Sequence, residues 1–211
     1  MISMMRIESV ASPPDRAGRH KVRFSDGTEI RLYRQTVEDF SLYAGMEMDR
    51  NEYENLIAAA GEMSAKMRAV RIVSASSVSK KDLEQRLIQK GEDPADAKNA
   101  VKWMSDLDLL DDRKTAEQIV QRCAAKGYGI HRAKQALYEK RIPKQYWDEA
   151  LDGFPDQDDA ILSFLRTRLD DTSDAKQVHK AIEALIRRGH NYSDIRRGLQ
   201  ALSLNEDFPE E

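Results

Sequence analysis

The sequence predicts a mainly α-helical protein: tandem three-helix repeats in an elongated or curved array, behind a small N-terminal domain containing a β-hairpin. Three observations predict it. Apolar residues recur at helical spacing through most of the chain. A set of anchor residues repeats at intervals of 50 and 48 residues. Strand-like alternation of polarity is confined to the segment before Tyr33.

Composition narrows the class. The chain has 211 residues, 40% hydrophobic, 34% charged and only 7% aromatic, a balance that favours helices with solvated faces over a β-sandwich. A formal net charge of −3 argues against wholesale coating of nucleic acid. No apolar run reaches the roughly 18–20 residues a membrane span needs. Met1-Ile2-Ser3-Met4-Met5-Arg6 lacks the basic flank and apolar run of a signal peptide. The single cysteine, Cys123, forbids an internal disulfide and fits a reducing compartment. The expectation is a cytoplasmic protein with no membrane partner.

Lys21-Val22-Arg23-Phe24 and Glu29-Ile30-Arg31-Leu32-Tyr33 alternate in polarity around Asp26-Gly27, the pattern of a hairpin whose turn needs positive φ. Arg6–Val10 supplies a third strand, and Ser12–Gly18, with its two prolines, the connecting loop. Tyr53, Leu56, Ile57 and Ala60 then fall at i, i+3, i+4, i+7, one face of a helix.

The repeat is read from three anchors, Gly91, Arg141 and Gly189, each following Lys or Arg. Four residues before them stand Leu87, Leu137 and Leu185; eight before, Leu83, Ala133 and Ala181. Six after stand Ala97, Trp147 and Ile195; ten after, Val101, Leu151 and Leu199. Each anchor thus separates two apolar stripes. Ser79–Asp82 has the form of a capping box. Asp93-Pro94 supplies an N-cap and a proline in the first helical turn; Asn191 and Asp194 repeat that pattern, and Pro143 occupies the cap offset in the second copy. A further helix precedes each pair: Ala116, Ile119, Val120 and Cys123 share one face, as do Ile161, Phe164, Leu165 and Leu169. The resulting division is 1–62 for the N-terminal extension, 63–110, 111–154 and 155–204 for the three repeats, and 205–211 for a disordered acidic tail. A unit of about 50 residues buries little core alone, so neighbouring units are expected to support one another.

Charge is segregated. Between Arg122 and Lys144 stand seven cations (Arg122, Lys126, Arg132, Lys134, Lys140, Arg141, Lys144) and one anion; between Asp148 and Asp159 stand six anions and no cation. Segregation of this kind makes an anion-binding face, or simply a set of solvated helix faces.

Leu109-Leu110-Asp111-Asp112-Arg113-Lys114-Thr115-Ala116, then Arg122 with Lys126-Gly127-Tyr128-Gly129-Ile130, then Leu137-Tyr138-Glu139-Lys140-Arg141-Ile142, together resemble the motifs of the RecX family, bacterial regulators of the RecA recombinase. Ser79, Leu83, Leu87, Lys90 and Gly91 follow the same scheme. The likeness covers residues 65–202, and the hairpin segment resembles the N-terminal extension of longer family members. Thr115 stands where the family has an aromatic, Ala136 where it has Glu, and Arg141 where it has Gly. The resemblance implies a non-enzymatic protein that binds RecA filaments on single-stranded DNA and lowers recombinase, ATPase and coprotease activity, in DNA repair, recombination and the SOS response.

Candidate contact residues are Arg122, Lys126, Arg132, Lys134, Lys140 and Arg141 around the central helix pair, and Arg187, Arg188, Arg196 and Arg197 in the third repeat. Arginine suits bidentate contact with carboxylate or phosphate; long basic stems also commonly only cover apolar surface. Tyr128, at a turn, is either a contact or packed on its own helix. No catalytic, cofactor or metal site is read. His20, His131, His179 and His190 are scattered without zinc spacing. Asp111-Asp112 reads as helix capping, since adjacent helical residues do not face each other. Gly127-Tyr128-Gly129 lacks the context of a dinucleotide loop or a P-loop. Cys123 reads as a buried thiol, and Trp103 and Trp147 as core. The competing reading is a direct DNA-binding protein using helix-turn-helix-like units. A monomer is expected, with the RecA filament as partner and single- or double-stranded DNA as a further one.

Overall fold

The computed structural model describes residues 4–169 and 174–206. The chain forms two compact units, one of residues up to Ser76 with Leu83–Leu110, the other of Ser77–Asp82 with the chain from Asp111 onward.

The N-terminal unit opens with an antiparallel sheet of order β3-β2-β1-β4, made of β1 (Met5–Val10), β2 (Arg19–Phe24), β3 (Glu29–Tyr33) and β4 (Glu47–Met48). The expected hairpin is β2–β3: Arg23 pairs with Glu29, Gly27 has φ 85°, and the Asp26 carboxylate accepts from Thr28 N at 2.8 Å. The alternation works as read, since Val22, Phe24 and Leu32 are buried while Lys21, Arg23 and Arg31 are exposed. The buried face packs with Ile7, Leu42, Met48 and Leu56. Two elements are additional to those the sequence predicts: β4, and the short helix α1 (Arg34–Asp39).

Helix α2 (Arg50–Ala75) runs unbroken for 26 residues from a capping box between Asp49 and Glu52. Residue 62, the expected end of the extension, lies inside it. Leu56 is buried and Tyr53 and Ala60 pack against the same core, but Ile57 is 39% exposed; its neighbours leave that edge of the face uncovered. α2 packs along α4 (Pro94–Asp106), whose N-cap Asp93 accepts from Ala95 N and Asp96 N with Pro94 in the first turn. Trp103 is half-buried there, with Lys66 Nζ 5.7 Å from its ring centroid.

The C-terminal unit holds the remaining helices: α5 (Asp112–Ala125), α6 (Ile130–Glu139), α7 (Trp147–Asp152), α8 (Asp158–Arg168), α9 (Ala175–Arg187) and α10 (Tyr192–Glu206). Helix α3 (Lys80–Gln89) contributes its first residues to this unit and the rest to the other. Ala116, Ile119 and Val120 of α5 form one core with Leu137 and Ala150, and Trp147 and Leu151 pack against it. Ile161 and Leu165 of α8 form another with Ala181, Leu185 and Ile195. Pro143 leads into a 3-10 turn, Lys144–Tyr146, before α7. Residues 207–211 of the acidic tail lie outside the described residues.

The three anchors share one geometry. Gly91, Arg141 and Gly189 have φ of 88°, 53° and 89°. Each donates its N–H three residues back (to Ile88, Tyr138 and Ile186), and the next residue donates five back (Glu92 to Leu87, Ile142 to Leu137, His190 to Leu185). That pair of hydrogen bonds is the Schellman helix stop. It explains why an anchor Leu lies four residues before each stop: its carbonyl closes the turn and its side chain is buried. Arg141 occupies a left-handed position that ordinarily favours glycine.

A methyl group at Gly91 meets nothing within 4 Å, whereas one at Gly189 would stand 2.3 Å from Arg132 N. Gly91→Ala is therefore expected to cost about 1–2 kcal/mol for the positive φ alone. Gly189→Ala should cost on the order of 2 kcal/mol more through overpacking, measured by urea denaturation. Equal losses at the two sites would contradict this difference.

Candidate basic interface

The C-terminal unit is organised by helix starts resting on helix stops. The first N–H groups of an α-helix have no partner within it. Gly129, the N-cap of α6, supplies no side-chain cap. Instead Gly129 N donates to Arg188 O at 3.0 Å and His131 N to Gly189 O at 3.1 Å. A methyl group at Gly129 would stand 2.1 Å from that Gly189 oxygen, so only glycine allows the approach. His190 Nε2–H returns a bond to Gly127 O at 3.0 Å, and His131 Nε2 bonds Asn191 Oδ1 at 2.6 Å. The Asn191 oxygen expected at a helix cap thus meets a histidine from α6.

The second helix stop is used in the same way. Ser79, fully buried, accepts from Asp82 N at 3.0 Å and donates to Lys140 O at 2.7 Å. Lys80 N donates to Asp112 Oδ1 at 2.7 Å. The Asp111-Asp112 pair therefore divides its work: Asp111 caps α5 through Arg113 N and Lys114 N, and Asp112 seats the start of α3. Burial pushes the Asp112 carboxyl upward against the lowering effect of the Lys80 N–H.

These contacts sort the candidate cations. Arg132 of α6, Arg187 at the end of α9 and Arg188 just after it line one concavity of about 410 Å³ with Tyr128, Phe164 and Arg168. The Arg188 and Arg168 guanidinium carbons lie 4.8 Å and 5.4 Å from the Phe164 ring centroid, within cation–π range. Arg132 reaches Glu139 at 3.4 Å and Arg187 reaches Glu183 at 3.8 Å, both loose contacts. Arg141 sits elsewhere, 3.5 Å from Asp82, in a shallow groove of about 610 Å³ with Lys81, Tyr138, Lys144 and Trp147. Trp147 Nε1–H is anchored on Ile142 O at 3.0 Å. Arg122 donates to Ser77 Oγ at 2.9 Å. Lys126 and Lys134 are exposed and Lys140 half-buried. Arg197 is tied to Asp158 and Asp194 at 3.1 and 3.0 Å, and Arg196 is exposed beside Leu199 and Gln200.

Arg168 is not among the candidates the sequence singles out; its signal was the i, i+4 spacing from Phe164, which places a cation over an aromatic on one helix face. Also missed was a basic concavity in the N-terminal unit, lined by Arg68, Arg71, Arg86 and Lys90. There Arg68 bonds Glu92 at 2.5 Å and Arg71 bonds the Tyr33 hydroxyl.

Among the described residues no group of three or more His, Cys, Asp or Glu is placed to hold a metal ion, and no helix is long and apolar enough to cross a membrane. Cys123 is buried, and burial pushes its thiol upward, away from the reactive thiolate.

The family description "RecX, second three-helix domain" matches residues 111–151. Among curated proteins, the chain is 28% identical over 137 residues to "Regulatory protein RecX" of Vibrio campbellii, covering 63% of this chain and 88% of that protein. It is 26% identical over 195 residues to "Regulatory protein RecX" of Clostridioides difficile, covering 90% and 91%. Its fold is similar to two solved structures. One is described as the crystal structure of regulatory protein RecX (TM-score 0.60, 20% identity, 92% of this chain and 99% of that one). The other is RecX from Lactobacillus salivarius (TM-score 0.61, 22% identity, 69% and 99%).

Burial holds the His190 pKa below its ordinary 6.5, with nearby Arg188 acting in the same direction and the Gly127 carbonyl opposing. The unfolded chain therefore binds this proton first on acidification. The stability His190 contributes is complete above about 6.5 and is lost as pH falls through the depressed folded value. Thermal melts of the wild type and His190→Gln are expected to differ in acid sensitivity between pH 7 and 5, the variant losing less. Parallel curves would remove His190 from this role.

Proposed function

We propose a function for this chain, which belongs to the RecX family: it is a non-enzymatic regulator that binds RecA filaments on single-stranded DNA and lowers their recombination, ATPase and coprotease activities. It acts in the cytoplasm as a monomer. The observation that carries the reading is a coincidence of position. Residues 111–151 match the family's second three-helix domain, and the seven cations between Arg122 and Lys144 all fall within them. Cations on and just after α5 and α6 supply local positive charge, against which an acidic protein surface gains affinity and encounter rate. The anchored helix starts support it further, because a contact face held by backbone bonds loses little freedom on binding. The candidates divide by availability. Arg122, Lys126, Lys134 and Lys140 carry the contact to the recombinase, and Arg141 and Arg196 contribute from separate grooves. Arg197, held by two carboxylates, contributes less.

RecA-driven ATP hydrolysis on single-stranded DNA, titrated with the protein, is the test. Wild type is expected to inhibit, and the folded triple variant Arg122→Glu, Lys134→Glu, Lys140→Glu should need at least about tenfold more protein, equivalent to about 1.4 kcal/mol. Full inhibition by the triple variant would move the contact face elsewhere; no inhibition by wild type would remove the function.

A further inference from the structure

The concavity of Tyr128, Arg132, Phe164, Arg168, Arg187 and Arg188 is more than a part of a general basic face. Two guanidiniums share the single ring of Phe164, at 4.8 and 5.4 Å. Neither Arg168 nor Arg188 has a carboxylate partner among the described residues. The other two arginines touch carboxylates only at 3.4 and 3.8 Å. Four like charges held around one small volume repel one another, and an anion entering between them relieves that repulsion. The arrangement does not depend on flexible side chains alone. Arg188 belongs to the helix stop whose carbonyl takes Gly129 N, and Arg132 packs its backbone on Gly189.

We propose that this concavity is a binding site for the phosphates of a nucleotide, free or within a strand, with Tyr128 as the flat wall for the base. Three arguments select this chemistry. Guanidinium forks match phosphate oxygens two at a time. A volume of about 410 Å³ suits a small ligand or one or two nucleotide units. Four guanidiniums in that space call for several negative charges close together. The phosphates of a nucleotide's polyphosphate chain provide them on directly linked groups, whereas an extended peptide, at about 3.3–3.6 Å per residue with alternate side chains on opposite sides, separates its same-face carboxylates by about 7 Å. The basic concavity of the N-terminal unit differs: a carboxylate, Glu92, already sits 2.5 Å from Arg68, and Arg71 donates to the Tyr33 hydroxyl. The proposal goes beyond recombinase regulation, because this site binds its ligand with no other protein present.

The experiment uses the full chain without recombinase. Fluorescence anisotropy follows a labelled oligothymidylate, and calorimetry follows ATP, with unphosphorylated adenosine and a polyglutamate peptide as comparison ligands. The strand or ATP is expected to bind, and both comparison ligands at least tenfold more weakly. Arg168→Ala with Arg188→Ala should lower affinity at least tenfold, while the equal charge change Arg113→Ala with Lys114→Ala lowers it less than threefold. Arg188→Lys keeps the charge and the backbone bond and should lower affinity several-fold by losing the fork. Displacement of the strand by ATP points to free nucleotide as a ligand; strand binding that ATP leaves intact points to nucleic acid; either supports the site. Unaltered affinity in the folded double variant, or tighter binding of polyglutamate than of either phosphate ligand, overturns it. Because no recombinase is present, loss of this site and loss of RecA inhibition are read separately.

Discussion

A helix start is electrically positive and short of acceptors, and a helix stop is negative and short of donors. In the C-terminal unit these ends meet. The Gly129 and His131 amides rest on the carbonyls of Arg188 and Gly189, and Ser79 bridges the start of α3 to the carbonyl of Lys140. Both deficits are satisfied at once in places that water reaches poorly, where an unpaired backbone group would cost about 1–3 kcal/mol. The consequence is a strict demand on residue size. Gly129 and Gly189 stand so near the opposite backbone that a single methyl would not fit, and Ser79 has no exposed surface.

From that junction the charge distribution follows. Stops preceded by Lys140 and Arg188 bring a cation to each meeting point, and the α6 start brings Arg132 to the second. A chain with a net charge of −3 thereby presents concentrated positive charge locally. None of the anions between Asp148 and Asp159 lines the Phe164 concavity; two of them are engaged by other cations, Glu149 by Arg113 and Asp158 by Arg197. Placement on the scaffold, not the charge total, sets where positive charge is concentrated.

The helix stops were legible in the sequence because their requirement is local: a left-handed residue, a cation before it and a leucine whose carbonyl closes the turn. Even Arg141, which breaks the glycine pattern, adopts the same turn with φ 53°. Capping by Asp93 and Asp111, the Asp26-Gly27 hairpin and the buried Cys123 were readable for the same reason. What escaped was set by tertiary contact. Six-residue α1 and two-residue β4 are too short for periodicity to register. Ile57 has the right spacing but no neighbour to cover it. Asn191 looks like a cap and meets His131 from 60 residues away. Among the cations singled out, spacing could not show that Arg132 and Arg188 converge while Arg197 is neutralised, nor that Arg168 joins them.

Native-state amide hydrogen exchange at Gly129 and His131 tests the junction most directly. First-turn amides without acceptors exchange rapidly, whereas amides bonded to a buried helix stop exchange only on larger opening. The account predicts protection at both residues comparable to that of Leu137 in the middle of the same core. Exchange at the rate of an open helix terminus would contradict it, and with it the fixed placement of the arginines that flank the junction.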